Sequence, residues 1–147
     1  MRLKKHALTL GAMLGISALA LSGCSSTPEE VTLTLATVNN GNMVDMESLK
    51  GEFEAANPGI KVNFQVMEEG DLRSAVTADV ANAAGQYDIV TIGAYEVPQW
   101  GANGWLTDLT PALTSDKAYD VEDILPPVRT ALSVDGKQYA VPFYGES

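Results

Sequence analysis

Between Val31 and Ile92 the chain alternates a β-patterned run with a helix-patterned run, strand, helix, strand, helix, strand, within about sixty residues. Short strands joined by helices need crossover connections, and right-handed crossovers yield a parallel sheet with helices on its faces. This predicts an α/β fold in which the first strand lies between the other two. Val31 to Val38 alternates apolar residues with Thr, and Ile60, Val62, Phe64 and Val66 alternate through Ile60 to Met67. Tyr87 to Ile92 is short and nearly continuous in apolar character, as a strand covered on both faces should be. Gly93 ends it, and Tyr95, Glu96 and Trp100 follow within six positions. Ligands of open α/β sheets bind outside the carboxyl ends of the strands, where these three residues would stand.

The intervening segments carry helical spacing. Met43, Met46, Leu49, Phe53 and Ala56 mark one face of a helix that Asn57-Pro58-Gly59 stops, with Met43 and Met46 expected in the core. Asp71 is the expected N-cap of a second helix to about Ala84, striped by Leu72, Val76 and Val80 and ended by Gly85. Beyond Trp100 the pattern loosens. Pro98 suits the first turn of a short helix running to Gly101 or Asn103. Ser115 to Asp123 is polar and acidic, a surface loop from which Asp120 could cap a helix over Val121 to Leu132, bent or restarted at Pro126-Pro127. Val134-Asp135-Gly136-Lys137 is a hairpin signal, and Tyr139 to Ser147 reads as a last strand.

The first residues have a different logic. Arg2, Lys4 and Lys5 precede an apolar run from Ala7 to Leu21 that closes in Leu21-Ser22-Gly23-Cys24. This is the grammar of a secretory signal peptide with a lipobox, over residues 1 to 23, with Cys24 the expected lipidated first residue. Residues 24 to 30 form a polar tether, and residues 31 to 147 the folded body. Cleavage leaves six basic residues against nineteen acidic ones, a formal charge of −13 that disfavours nucleic acid as a partner. Cys24 is the only cysteine and His6, the only histidine, lies in the leader. The mature part therefore cannot supply a Ser-His-Asp triad, a Cys-His pair, a disulfide of its own or a histidine-ligated zinc, and no cofactor or metal is expected.

Ala36-Thr37-Val38-Asn39-Asn40-Gly41, Thr91-Ile92-Gly93-Ala94-Tyr95-Glu96-Val97-Pro98, Gly104-Trp105-Leu106 and Asp135 to Ser147 together resemble the extracellular solute-binding proteins of ABC importers. Asn-Asn-Gly, Thr-Ile-Gly-x-Tyr-Glu and Phe-Tyr-Gly-Glu-Ser are similar to the branch that binds polyols such as mannitol and sorbitol. The resemblance spans Val31 to Ser147. It implies the N-terminal lobe of a two-lobe, periplasmic-binding-protein-like (type II) fold; the chain stops at Ser147, about where it would pass toward the second lobe, so a fragment with the second lobe absent is expected. It also implies a non-enzymatic receptor, anchored through Cys24 to the outer face of the cytoplasmic membrane, that hands a polyol or sugar to ABC permease subunits.

A polyol is uncharged and dense in hydroxyls, with a thin C–H face, so its site needs paired acceptors and donors plus aromatic cover. The candidates are Asn40, Glu69, Tyr95, Glu96, Trp100, Tyr144 and Glu146. Glu69, Glu96 and Glu146 would accept ligand hydroxyl protons, Asn40 would donate and accept, Tyr95 and Tyr144 would offer rings, and Trp100 would wall the cleft. Other readings stand beside these. Asn39, Asn40 and Asn42 suit a turn, and Glu68 and Glu69 suit the positive end of a helix. Trp105 reads as core. Two further functions fit the same acids, an exported glycoside hydrolase using paired carboxylates and a lipoprotein that senses a ligand.

Overall fold

The computed structural model describes residues 30–145. The leader, Cys24 and Glu146 lie outside the described residues.

Three strands form a parallel sheet in the order β2-β1-β3, so the first strand is central as predicted. β1 (Val31–Val38) and β2 (Ile60–Met67) have the expected bounds and pair along their whole length, from Val31 opposite Ile60 to Val38 opposite Met67. β3 is shorter than expected, Ile89–Val90 only, opposite Leu35 and Ala36. Its ladder is prolonged by single bonds, Asp88 N–H to Thr34 O at 2.9 Å and Thr91 N–H to Ala36 O at 3.1 Å. The Thr34 N–H goes instead to the Asp88 carboxylate at 2.8 Å, so a side chain replaces the next backbone acceptor and regular pairing stops.

The core lies against the carboxyl half of β1. Ala36, Thr37 and Val38 are all buried, whereas Val31 at the other end is 52% exposed. Ala36, Val38, Leu72, Val76 and Trp100 form one buried cluster, with Val80, Tyr87, Val90 and Trp105 packed around it. A strand covered on both faces must satisfy any inward polar group internally, and Thr37 and Thr91 pair through their hydroxyls at 3.2 Å. Leu72 and Val76 come from α3 (Glu69–Asn82), whose stripe follows the predicted spacing. Its N-cap is Glu68 rather than Asp71, because helical geometry begins directly after β2; Glu69 and Asp71 occupy the first turn, where acidic side chains meet free N–H groups. The helix ends two residues early, through Ala83 in the left-handed region, and Gly85 follows with positive φ.

The expected helix after β1 is two. α1 (Gly41–Ser48) and α2 (Lys50–Ala56) meet at Leu49, whose N–H bonds back to Met46 O at 3.1 Å, three residues instead of four. That tightened turn shifts the stripe out of phase. Met43 is buried and Met46 half-buried, but Leu49 is 50% and Phe53 43% exposed. Glu54 ties α2 to β2, accepting the Val62 N–H at 2.9 Å with Lys61 Nζ at 3.3 Å.

The remainder is short elements. α4 (Val97–Ala102) starts with Pro98 in its first turn as expected. α5 (Thr110–Ser115), with Pro111 near its start, was not predicted, because six residues are too few to show a period. Asp120 does cap, accepting from Glu122 N–H, but only a 3-10 turn over Val121–Asp123; α6 (Pro126–Ala131) then restarts at the two prolines, which cannot donate the bonds a continuous helix would need. β4 (Ser133–Val134) and β5 (Lys137–Gln138) make the expected hairpin, with Asp135 at φ 49° and Gly136 at φ 78°. Tyr139 to Gly145 is not a strand. It is led away from β5 by Gln138, whose side chain bonds the Ser133 hydroxyl at 2.8 Å and the Ala140 carbonyl at 2.7 Å.

Two stability outcomes follow from this packing. Leu72→Ala should cost about 3 kcal/mol, against roughly 0.5 kcal/mol or less for Leu49→Ala, in urea denaturation of the two variants; equal losses would contradict the burial pattern. The Val62 N–H, and secondarily Lys61 and Lys50, hold the Glu54 carboxyl below the usual carboxylate range. A lowered folded value stabilises the native state above the ordinary Glu pKa of 4.5, and that contribution is lost as pH falls through the folded value. Glu54→Gln should therefore narrow the difference in urea midpoint between neutral and acid pH.

Candidate functional site

Since β1, β2 and β3 run parallel, their carboxyl ends share one edge of the sheet. Asn40 follows β1, Glu68 and Glu69 follow β2, and Gly93 to Glu96 follow β3. Side chains on this edge then meet one another.

Glu96 is the best-held of them. Its Oε2 accepts the Gly93 N–H at 2.7 Å, folding the loop back on itself, and the same oxygen is paired with Arg73 Nη1. From α3, Arg73 also donates through Nε to Glu69 Oε1 at 2.7 Å, one helical turn earlier. One guanidinium therefore joins the start of α3, just after β2, to the loop after β3. Burial alone would lower the Arg73 pKa, but the hydrogen bond to Glu69 and the charges of Glu96 and Glu69 outweigh it, so its pKa is raised and the cation is secured. Glu96 Oε1 accepts no hydrogen bond from the described residues, and none of their buried side-chain oxygens or nitrogens lacks a partner, so this oxygen is not fully sealed from solvent. The Glu96 side chain as a whole is 11% exposed and that of Glu69 61%.

Tyr95 is 76% exposed, and its ring lies 5.8 Å from the Arg73 guanidinium carbon, within cation–π range. The ring folds over Gly93 so closely that a Cβ there would collide with it. A side chain at position 93 would therefore displace the Tyr95 ring from its place over the loop.

Both ends of the Asn40 amide are engaged within the chain. Its Oδ1 accepts the Met43 N–H at 2.9 Å and caps α1, while its Nδ2 donates to the Tyr144 hydroxyl at 2.8 Å across 104 residues. Tyr144, half-buried and edge-on to Phe143 at 5.5 Å, is brought to the same sheet edge. Five expected residues thus gather there: Asn40, Glu69, Tyr95, Glu96 and Tyr144.

Trp100 does not join them. At 4% exposure it belongs to the core, packed edge-on against Trp105 at 6.1 Å, because the one-turn advance from Glu96 along α4 carries position 100 under the loop. Trp105 packs against the core as expected. Arg73 is the residue that sequence reasoning missed; the only signal was its spacing of four from Glu69, which marks a common surface ion pair. A wide, open concavity of about 580 Å³ lies elsewhere, bordered by Thr110, Arg129, Ser133 and Gln138. The expected residues gather at the sheet edge and not there, so the sheet edge is the candidate site.

Comparison with known proteins agrees with this geometry. The mannitol-binding protein of Pseudomonas aeruginosa is 44% identical over 139 residues, 95% of this chain and 31% of that protein. A solved ABC transporter solute-binding protein from Agrobacterium vitis S4 with bound D-mannitol is similar at TM-score 0.74 and 57% identity, over 77% of this chain and 27% of that one. Another from Agrobacterium radiobacter K84, in complex with ribitol, is similar at TM-score 0.71 and 33% identity, over 79% of this chain and 29% of that one. The chain thus spans about a third or less of the length of these relatives. The fold is the expected one, α/β with a parallel sheet flanked by helices, as in an N-terminal lobe of the type II periplasmic-binding-protein class. The family model for bacterial extracellular solute-binding proteins matches residues 40–147, and the chain belongs to that family.

Proposed function

We propose that this chain forms one wall of the ligand site of an ABC importer's solute receptor, and that the ligand is a sugar alcohol. The observation that carries the reading is the gathering of Asn40, Glu69, Glu96, Tyr95 and Tyr144 at one sheet edge, in a chain similar over most of its length to a mannitol-binding protein. A carboxylate oxygen accepts from a hydroxyl with roughly 1.5 to 3 kcal/mol of stabilisation. Tyr95 and Tyr144 cover C–H groups, and Glu146 is a further acceptor. Residues 31–147 act as one lobe, and closure against a second lobe selects the liganded state. Residues 1–23 direct export, and Cys24, followed by the tether to residue 30, holds the receptor at the membrane beside its permease.

The receptor reading is favoured over a glycoside hydrolase. Such an enzyme needs one of two carboxyl groups to carry a proton to the leaving oxygen, whereas Glu69 and Glu96 are both counter-ions of a single guanidinium. The sensing function would use the same ligand chemistry and differs only in the partner.

The test is a titration of D-mannitol into ¹⁵N-labelled chain, followed by NMR. Shifts should concentrate around Asn40, Glu69, Gly93 to Glu96 and Tyr144, with millimolar affinity because one lobe presents only one wall, and Glu96→Gln should weaken binding about tenfold or more. Micromolar binding by this chain alone would refute the need for a second lobe. Shifts centred elsewhere would refute the site.

A further inference from the structure

We infer that Arg73 is a positioning residue for this sheet edge: its guanidinium locks Glu69 and Glu96 as a pair, each with one oxygen engaged and one left for ligand, and sets the charge that the ligand meets. The inference rests on the polyol reading above but adds a residue and a selectivity to it. Arg73 comes from the second turn of α3 rather than from any of the three strand-end loops, yet it bonds Glu69 Oε1 and Glu96 Oε2 and underlies the Tyr95 ring. A planar fork can hold two carboxylates in fixed directions, which a flexible ammonium cannot. The engaged oxygen of Glu96 also receives the Gly93 N–H, so the Arg73 side chain, the β3 loop backbone and the Tyr95 ring form one connected unit.

Two carboxylates this close repel each other when nothing compensates them, and each would swing toward water. Arg73 lowers the local charge from two negative to one. Without it the edge would lose its fixed spacing of acceptors, which a chain of neighbouring hydroxyls requires, and would gain attraction for a cation. The consequence reaches selectivity as well as affinity: a neutral polyol is matched by geometry, whereas a cationic amino-polyol is drawn by charge alone.

The experiment compares D-mannitol with 1-amino-1-deoxy-D-mannitol on the full chain and its Arg73→Met and Arg73→Lys variants, and follows the Gly93 amide by NMR without ligand. In Arg73→Met the Gly93 signal should move and exchange faster, and the affinity ratio of amino-mannitol to mannitol should rise about tenfold. Arg73→Lys keeps the charge and loses the fork, so it should restore the ratio while the Gly93 amide and mannitol affinity stay impaired. An unmoved Gly93 amide in Arg73→Met overturns the positioning role. A weaker mannitol affinity with an unchanged ratio overturns the selectivity. If neither compound binds the unsubstituted chain, the polyol reading fails, and the Gly93 amide alone decides whether Arg73 positions Glu96. Should Arg73→Met fail to fold, Glu69→Gln removes one of the two anchors and should move the same amide in the same direction; no movement overturns the role.

Discussion

The carboxyl half of β1 is buried on both faces, and the rest of the described structure is arranged by that burial. Ala36, Thr37 and Val38 leave no room for water, so Leu72 and Val76 of α3 must lie against this strand with Trp100 completing the cover. Each such aliphatic side chain contributes roughly 1.5 to 3 kcal/mol when removed from water. Once α3 is seated, its second turn stands over the end of β1, and Arg73 can span from the β2 side to the β3 side. The apolar packing and the polar edge are therefore two ends of one helix. A shift of α3 along the sheet would unseat both.

The edge itself is a small example of polar groups used twice. Asn40 caps a helix with one end of its amide and holds Tyr144 with the other. Glu96 closes its own loop through Gly93 with the same oxygen that meets Arg73, leaving the second oxygen without a partner among the described residues. On the proposed reading, helix capping and loop closure are not rivals of ligand recognition; they would fix where the recognising atoms stand, as binding sites that keep their geometry before the ligand arrives require. In such a site the loss of freedom on binding falls mainly on the ligand.

Membership in the solute-binding family supplies the setting for this geometry, and the chain spans 31% of the length of its mannitol-binding relative. A sheet edge lined by two carboxylates, an amide and two phenols, with no opposing surface among the described residues, would on the proposed reading be one wall of a clamp. The polar groups are organised, but the water that surrounds them competes for every hydrogen bond. Enclosure by a second lobe would remove that competition and strengthen each contact.

The division between what was legible in the residues and what was not follows the range of the interactions. β1, β2, the hairpin at Asp135-Gly136, the short helix at Pro98 and the central place of the first strand were readable, because pattern, turn chemistry and crossover handedness are local or topological rules. The gathering of Asn40, Glu69, Tyr95 and Glu96 at one sheet edge follows from that topology, whereas Tyr144 is brought there by its hydrogen bond from Asn40. The break at Leu49, the loss of the last strand to the Gln138 side-chain bonds, and the exchange of roles by which Trp100 became core were not readable. Each depends on one side chain meeting a group distant in sequence or on a single turn tightening. The same holds for Arg73, whose spacing from Glu69 marks an ordinary surface pair until β3 is folded beside β1 and brings Glu96 within reach. The sequence by itself determined that the residues after β1, β2 and β3 share one edge, where Asn40, Glu69, Tyr95 and Glu96 stand, because strand direction is a topological rule. Only the tertiary structure decided that a cation from a helix joins two of them, because charge pairing between loops depends on distances that no local pattern carries.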